Sequence, residues 1–326
     1  MAAIESISKR SRINMQNLNL EEMVSLKSSV GIVAVLGRKP QIDSELFSSY
    51  WRDIHGAFVA AYGGPARYRQ LHLAAYDPEL WADASVARDL GDVRPLDGIA
   101  EFIFSDAEAR HQWASTVGSF ADADDPNVFA RSTSYSIAEG GLASWRDASV
   151  EPSPDTVRLI IMLKAAQSPA SLHDYLVDEL ASAVNADDNA SDDIAYMQVT
   201  RFNPYTIPDW VDDETGVDRV LKPCEQYDVM LEIAFRDDTS RQRFFHQQFP
   251  QYRDRFASEV ASLNVYRVRN AYTLIHDGKL TLNGWLGHDR AALVQRVGAG
   301  NIRLALDKVN AELSGDAAHR AMRAAV

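Results

Sequence analysis

Two histidines in the first half of the chain stand in patterns that would suit proton transfer. His55 follows Trp51 by four residues, in a segment whose apolar residues recur every three or four positions. Both side chains should therefore project from the same face of a helix. A histidine between aromatic and apolar walls can titrate near working pH and pass protons. A buried histidine bonded to the backbone would show the same local pattern, so both interpretations stay open.

His72 is the second candidate. It closes a stretch in which Tyr68, Gln70 and His72 alternate with apolar residues, and a β-strand would place these three on one face. If His72 faces a pocket, it can form a base and acid pair with His55. The alternative is a polar residue in the contact between two sheets.

Glu101 could serve as a carboxylate base, but a second glutamate, Glu232, occupies a matching Glu-x-x-Phe segment later in the chain. This duplication favours a buried polar network, with Gln70 and Gln198 as partners. The candidate catalytic residues are thus His55 and His72. The candidate substrate contacts are Tyr50, Trp51, Tyr68, Gln70, Glu101 and Tyr135.

The elements that must position these residues follow the order βαββαβ. Apolar periodicity, capping residues and Gly or Pro breaks predict each boundary. The predicted elements are a strand at 30–36, a helix with Asp43 or Ser44 as N-cap that stops at 63–65, strands at 68–75 and 98–104, a helix at 106–120 and a strand at 129–137.

The second half repeats this order. Its predicted elements are a strand at 157–163, a helix at 169–184, strands at 194–202 and 227–235, a helix at 237–263 and a strand at 265–275. The residue pairs that suggest an internal repeat are Tyr50 with Tyr175, Tyr68 with Tyr196, Gln70 with Gln198, Glu101 with Glu232, Arg110 with Arg241 and Tyr135 with Tyr272. On this pairing His55 corresponds to Leu180 and His72 to Thr200, which favours one pocket in the first half.

Each βαββαβ unit covers one face of its sheet with two helices, and the other face needs a partner. We therefore predict an α+β fold in which two tandem ferredoxin-like units pack their antiparallel sheets as a pseudo-dimeric α/β barrel. The predicted divisions are an N-terminal extension (1–29), a first unit with the site (30–150), a degenerate second unit (151–280) and a C-terminal helical extension (281–326).

The composition limits the kinds of partner that we expect the protein to bind. The net charge of −13 and the lack of a basic stripe argue against nucleic acid. No signal-like segment or apolar run of about 20 residues occurs, which predicts a cytoplasmic protein without a membrane partner. The single cysteine, Cys224, fits a reducing compartment. Histidine spacing lacks zinc motifs, and the acidic runs at 122–125 and 187–193 suggest solvated turns rather than calcium loops.

Residues 30–137 resemble the EthD-like members of the dimeric α/β-barrel superfamily. The resemblance rests on the run Tyr-Trp-Arg-Asp-Ile-His-Gly (50–56), the strand Tyr-x-Gln-x-His (68–72), the segment Asp-Gly-Ile-Ala-Glu-Phe-Ile-Phe (97–104) and Arg-Lys-Pro (38–40) after the first strand. It covers about a third of the chain. It implies paired ferredoxin-like modules with a small-molecule pocket between sheet and helices, and chemistry mostly without metal or organic cofactor.

These observations predict a cofactor-independent lyase, decarboxylase or isomerase/cyclase that uses His55 for proton transfer on a small aromatic or phenolic carboxylic compound, with a homodimer possible. Two alternatives stay open. One is a non-catalytic protein that binds a small molecule. The other, implied by the resemblance, is a haem-dependent dehydratase with His246 or His276 as axial ligand.

Overall fold

A computed structural model describes residues 30–77, 80–81, 87–88, 96–145, 155–181, 184, 192–206 and 215–315. In chain order the elements are β1 (Val30–Arg38), α1 (Ser44–Tyr50, a π-helical turn Trp51–His55, then Gly56–Ala61), β2 (Arg67–Leu73), β3 (Ala87–Arg88), β4 (Gly98–Phe104), α2 (Ala107–Val128), β5 (Phe129–Trp145), β6 (Val157–Ala165), α3 (Pro169–Asp174, then π-helical Tyr175–Ala181), β7 (Ile194–Phe202), a 3-10 turn (Pro223–Glu225), β8 (Val229–Phe235), α4 (Asp238–Arg243, then π-helical Phe244–Gln248), a 3-10 turn (Phe249–Gln251), α5 (Arg253–Glu259), β9 (Val260–His276), β10 (Lys279–Leu280), α6 (Leu282–Leu286), α7 (His288–Val297) and α8 (Gly300–Gly315).

Eight strands form a closed antiparallel barrel in the order β2-β4-β1-β5-β7-β8-β6-β9, and β9 pairs back onto β2. The first four and the last four strands follow the same internal order, that of a βαββαβ unit. The fourth strand of each unit pairs with the second strand of the other. The predicted α+β class and pseudo-dimeric barrel are therefore confirmed.

The helices begin where the sequence offers an oxygen-bearing side chain. Asp43 caps α1, Asp106 caps α2 and Asp237 caps α4, in each case by accepting hydrogen bonds from backbone N–H groups of the first turn. After α1, Gly63 and Gly64 adopt positive φ angles of 64° and 100°. Such angles favour glycine, which explains why the helix stops at the predicted position.

Two strands are longer than predicted because each serves both units. β5 pairs with β1 along its first half and with β7 along its second half, and the register shifts between Ile137 and Leu142. β9 does the same between β6 and β2, and it already begins at Val260, where a helix was predicted. Local patterns could not show this, since the second half of each strand is fixed only by its partner across the barrel.

Strand register also corrects three of the predicted residue pairs, Tyr135 with Tyr272, Gln70 with Gln198 and Tyr68 with Tyr196. Val33 of β1 lies opposite both Glu101 and Tyr135, and in the second unit Ile160 lies opposite Glu232 and Tyr266. The predicted correspondence of Glu101 with Glu232 is thus consistent with the strand register. Tyr135, however, corresponds to Tyr266 and not to Tyr272.

The predicted correspondence between residues of β2 and residues of β7 was wrong by one position. Arg69 lies opposite Glu101, whereas Gln198 lies opposite Glu232, so Gln198 corresponds to Arg69 rather than to Gln70. A shift of one residue moves every side chain to the other face of a sheet. The Tyr-x-Gln-x-His stretch of β2 accordingly faces the helices, while the similar stretch of β7 faces the barrel interior. His72 then corresponds to Arg201, and the histidine remains specific to the first unit.

The barrel interior holds a buried network of charged groups. Arg69 is 1% exposed, and its guanidinium donates to Glu101 (Nε to Oε2, 2.8 Å) and to Glu232 (Nη2 to Oε2, 2.8 Å). Arg67 and Arg158 each add an ion pair to one of these carboxylates. Burial of a charge is costly unless it is paired and hydrogen-bonded, and each glutamate has at least two cationic partners.

The C-terminal helices pack on the outside of the first unit. Asp53 of α1 accepts a hydrogen bond from the backbone N–H of His288 (2.8 Å), which begins α7. Asn310 of α8 forms two hydrogen bonds with the backbone of Leu280. Gly284 of α6 lies so close to the carbonyl of Leu274 that a Cβ there would overlap it. The described part of the extension is therefore a fixed cover over α1 and β9.

Replacement of Arg69 by methionine should lower the free energy of unfolding by about 3–5 kcal/mol, the usual cost of removing one partner from a buried ion pair. Glu101 and Glu232 would otherwise face each other without the cation between them. Urea unfolding followed by circular dichroism measures this. Arg236→Met, at the exposed pair with Asp192, is the control and should change little. A loss below about 1 kcal/mol for Arg69→Met would contradict the central role of this ion pair.

Acid should weaken the barrel through the same network. Burial by itself raises the pKa of Glu101, but Arg67 and Arg69 outweigh it and hold that pKa at about 2. A carboxyl group with a lowered pKa in the folded state stabilises the fold above its ordinary pKa, near 4.5, and this contribution is lost as the pH falls toward 2. The free energy of unfolding should decline across that window, and less steeply in Glu101→Gln. Equal slopes for both proteins would show that Glu101 does not contribute.

Candidate active site on the helical face of the first unit

The π-helical turn in α1 sets the positions of Trp51 and His55. The carbonyl of Trp51 accepts hydrogen bonds from the N–H of Gly56 and from the side-chain amide of Gln70 (3.0 Å). A Cβ at residue 56 would overlap that amide, so glycine permits the close approach of helix and strand. A π-helical turn also follows Asp174 in α3 and begins one residue nearer to its N-cap, Ser168, than the turn in α1 does to Asp43. The turn therefore belongs to the fold, although only the first unit places a histidine on it.

His55 forms an ion-pair-like contact with a carboxylate that sequence analysis did not connect to it. Its Nδ1 lies 2.8 Å from Oδ2 of Asp124 on α2, and the ring packs edge-on against Phe129 at 5.4 Å. The residue is 9% exposed. With Asp124 ionised, Nδ1 carries the proton it donates, so in the neutral form of the ring Nε2 holds the lone pair. Within the described residues Nε2 has no hydrogen-bond partner.

Asp124 is the centre of this cluster. Its other oxygen, Oδ1, accepts hydrogen bonds from the Tyr50 hydroxyl (2.7 Å) and from the Asn127 amide (2.8 Å). The hydrogen bond from His55 lowers the pKa of Asp124 to about 2 against the opposing effect of burial, and Tyr50 adds to it. Hydrogen bonding to Asp124 in turn raises the pKa of Tyr50. The carboxylate thus stays charged and can stabilise a protonated imidazole.

The acidic run at 122–125 is not the solvated turn predicted from sequence, at least for its described side chains. Asp124 binds His55 and Tyr50, and Asp125 is buried and accepts a hydrogen bond from Arg219 (2.9 Å). Both lie within α2, which continues past the predicted end. No local pattern distinguishes these aspartates from surface ones, since their partners lie far away in the sequence.

Three aromatic rings lie next to the His55–Asp124 pair. Phe58 is one helical turn from His55, and Phe120 is one turn from Asp124, so the two pairs are neighbours across the groove between α1 and α2. Phe58, Tyr62 and Phe120 contact one another with ring centroids 5.1–5.3 Å apart. Phe58 is 41% and Phe120 37% exposed. We call this group the aromatic trio.

His72 is placed differently. It is 1% exposed, stacks on Trp51 at 4.2 Å, and both ring nitrogens are bonded, Nδ1 to Ser48 (2.6 Å) and Nε2 to Gln70 (3.1 Å). Burial, with the nearby positive charges of Arg269 and Arg52, lowers the pKa of His72 to about 3, so the ring is neutral. No contact joins it to His55. This geometry is that of a structural core histidine and does not favour a base and acid pair with His55.

The other candidate residues fall into three separate environments. Tyr68 and Gln70 are buried between β2 and α1, where the Gln70 amide also donates to the Tyr68 hydroxyl (2.8 Å). Glu101 lies in the barrel interior, with Gln198 as a partner (2.6 Å) but not Gln70, which is on the opposite face. Tyr135 lies near one end of the barrel, where its hydroxyl donates to the backbone carbonyl of Glu225. Of the predicted residues, Tyr50 and His55 share a partner, Asp124, whereas Trp51 is buried against His72.

A cavity inside the described part of the barrel is too small for an aromatic substrate. It lies near Tyr135, is lined also by Arg131, Glu225 and Tyr266, and has a volume of about 10 Å³. This is room for about one water molecule.

The two histidines suggested for haem ligation lie on different elements. His246 is exposed on α4, and His276 ends β9 beside Asp277. The space between the second sheet and its helices is filled by aromatic rings, including Trp81 against Phe249. In the described part of the chain, no three histidine, cysteine or acidic side chains come together as metal ligands would. None of the described helices has the length and apolar character needed to span a membrane.

No protein-family model matches the chain, and no curated protein matches it. Solved structures match it at low identity. A proposed monooxygenase from Lactobacillus acidophilus is 9% identical over 76% of this chain and 99% of its own, with a TM-score of 0.43. An anthrone oxidase-like protein is 9% identical over 76% and 93%, with a TM-score of 0.46. A chlorite dismutase variant from Candidatus Nitrospira defluvii is 8% identical over 77% and 95%, with a TM-score of 0.36. Likeness this distant carries no argument about activity, and the EthD-like resemblance remains a prediction.

Proposed function

We propose that the protein is an enzyme that transfers a proton to or from a small aromatic or phenolic compound at the His55–Asp124 pair, without help from a bound cofactor. The observation that carries the proposal is the 2.8 Å contact that fixes one ring nitrogen of His55 and leaves the other unbonded. An imidazole oriented by a carboxylate is a recurrent arrangement for general acid–base catalysis.

The mechanism follows from the hydrogen bonds. Asp124 accepts the Nδ1 proton of His55 and so fixes the tautomer in which Nε2 is basic. Nε2 takes a proton from the substrate, and the charged carboxylate stabilises the imidazolium that results. Nε2 then returns the proton to another atom of the same substrate, which gives isomerisation, cyclisation or loss of a leaving group. Tyr50 and Asn127 keep Asp124 in place throughout.

The substrate class rests on the aromatic trio and on the local charge. An aromatic ring can stack on Phe58 and Phe120 while a polar substituent points toward His55. Within the described residues no arginine or lysine forms an ion pair with Asp124, and Arg52 is committed to Asp53. A site with one uncompensated carboxylate disfavours an anionic group beside it. We therefore favour a phenolic or uncharged aromatic substrate over a carboxylate held at this point.

Replacement of His55 by alanine should reduce kcat/KM at least about 100-fold, the usual contribution of a general acid–base group. Asp124→Asn should cause a smaller loss, because the asparagine amide can favour the wrong tautomer of His55. Both losses can be measured from the turnover of phenolic and aromatic test compounds, with solvent deuterium incorporation as the readout of proton transfer. The matched control is His173→Ala, a buried histidine beside Asp174 in the second unit. Wild-type turnover in His55→Ala would reject the assignment.

The tautomer gives a second readout that needs no substrate. Long-range ¹H–¹⁵N spectra should show His55 protonated at Nδ1 and unprotonated at Nε2 when the ring is neutral, and Asp124→Asn should change this pattern. A wild-type spectrum with the proton on Nε2 would contradict the mechanism. Compounds that bind at the groove and are recovered unchanged from the wild type would instead favour the non-catalytic binding protein.

Phe120→Ala should raise KM for an aromatic substrate by about 5-fold with little change in kcat, since a stacking contact worth roughly 1 kcal/mol holds the ring in ground and transition states alike. His55→Ala should instead lower kcat with little change in KM. Leu293→Ala, at an exposed apolar residue on α7, is the control and should leave both unchanged. A fall in kcat alone for Phe120→Ala would place the ring-binding surface elsewhere.

A further inference from the structure

The end of α2 that carries Asp124 is poorly stabilised by its own helix. Asp124 and Asp125 lie close to the C-terminal end of α2, where the carbonyl groups of a helix present partial negative charge, and the last turn contains no basic residue. Pro126, also in this region, has no N–H and cannot donate a backbone hydrogen bond. Both carboxylates therefore depend on hydrogen-bond donors or cations that other elements supply.

Asp125 has its cationic partner in the second unit. Its Oδ2 lies 2.9 Å from Nη1 of Arg219, which belongs to the segment between β7 and β8. Asp125 is 4% exposed and Arg219 7%, so the two form a buried ion pair. Removal of one partner from such a pair leaves a charge uncompensated away from water, which is strongly unfavourable. The ion pair therefore ties the end of α2 to the second unit.

The segment that carries Arg219 is itself fixed on the first unit. The N–H of Asp218 donates to the carbonyl of Ala130 (2.9 Å), and the carbonyl of Asp218 accepts from the N–H of Ser132 (3.0 Å), both at the start of β5. Val217 is buried in the apolar cluster of the first unit. Arg219 thus extends from a backbone that is bonded beside the point where α2 ends and β5 begins.

The two aspartates hold one helical turn from two sides. Consecutive residues of an α-helix point about 100° apart around its axis. Asp124 accordingly points toward α1, where it binds His55 and Tyr50, while Asp125 points toward Arg219. Because one turn of helix moves as a unit, a shift that took Asp125 away from Arg219 would also displace Asp124 from the imidazole.

We propose that Arg219, from the second unit, is a positioning residue for the His55–Asp124 pair and acts through Asp125. Its guanidinium holds the turn, and the turn holds Oδ2 of Asp124 at 2.8 Å from Nδ1 of His55. The second unit thereby contributes to a site that lies on the first. The consequence for turnover rests on the proposed function, whereas the consequence for the tautomer of His55 does not.

Arg219→Met should loosen the contact between Asp124 and His55. Long-range ¹H–¹⁵N spectra of the neutral His55 ring should then show a mixture of the two tautomers in place of the form protonated at Nδ1. The value of kcat should fall by about 10- to 100-fold, the cost of a small misplacement of a catalytic group, with little change in KM. Arg219→Lys keeps the positive charge and should restore most of both properties.

Arg158→Met is the matched control, because Arg158 is also a buried arginine of the second unit, 5% exposed, with a 2.9 Å ion pair to Glu232. This control should lower the free energy of unfolding without changing the tautomer of His55. The double variant Arg219→Met/Asp125→Leu guards against misfolding, since it leaves no unpaired carboxylate buried. It should show the same mixture of tautomers as Arg219→Met.

A wild-type tautomer pattern in Arg219→Met or in the double variant would overturn the proposal, and so would mixed tautomers in Arg158→Met. The same spectra separate this proposal from the proposed function. If the wild type turns over no test compound but Arg219→Met still changes the tautomer of His55, the positioning role stands and the catalytic role fails.

Discussion

The barrel depends on one buried arrangement, the guanidinium of Arg69 between the carboxylates of Glu101 and Glu232. The two glutamates occupy equivalent ladder positions in the two units, so the symmetry of the fold brings two negative charges together away from water. Like charges in such a place cannot both persist without a cation. Arg69 comes from the first unit only, and Gln198 takes its place in the second. The same side chain therefore neutralises the interior and joins the two sheets.

Charged and polar side chains of the described residues occupy the middle of the barrel, whereas the His55–Asp124 pair and the aromatic trio lie on the helical side of the first unit. The two units also differ on that side. The first presents an imidazole, a carboxylate and partly exposed rings, while the second buries Leu180 at the position of His55 and packs Trp81 among its own aromatic residues.

Much of the fold could be predicted because its elements are encoded locally. The strands at β4 and β7 have the predicted limits, and Asp43 caps α1 as expected, since alternation and capping depend on neighbours in sequence. Register could not be predicted in this way. The stretches around Gln70 and Gln198 look alike in sequence, yet they face opposite sides of their sheets, because a period of two is equally compatible with either face.

The candidate site could likewise be predicted only in part from local sequence. His55 and its aromatic neighbour Trp51 could be selected from the helix alone, because helical spacing fixes which side chains share a face. Asp124 could not, since it lies in an acidic run like many surface runs, and only the packing of α2 against α1 brings it to the imidazole. By residue type, His72 was as plausible a catalytic residue as His55. Its burial between Trp51, Ser48 and Gln70 favours a structural role instead.

The sequence by itself determined the βαββαβ order of each half, the helix starts and the histidine present in one half only, because periodicity and capping are short-range properties. The tertiary structure alone decided which carboxylate meets that histidine, which face each polar strand residue takes and how three arginines share two glutamates. Those outcomes depend on contacts between residues far apart in the chain, and the cost of burying charge selects among them only once the barrel is closed.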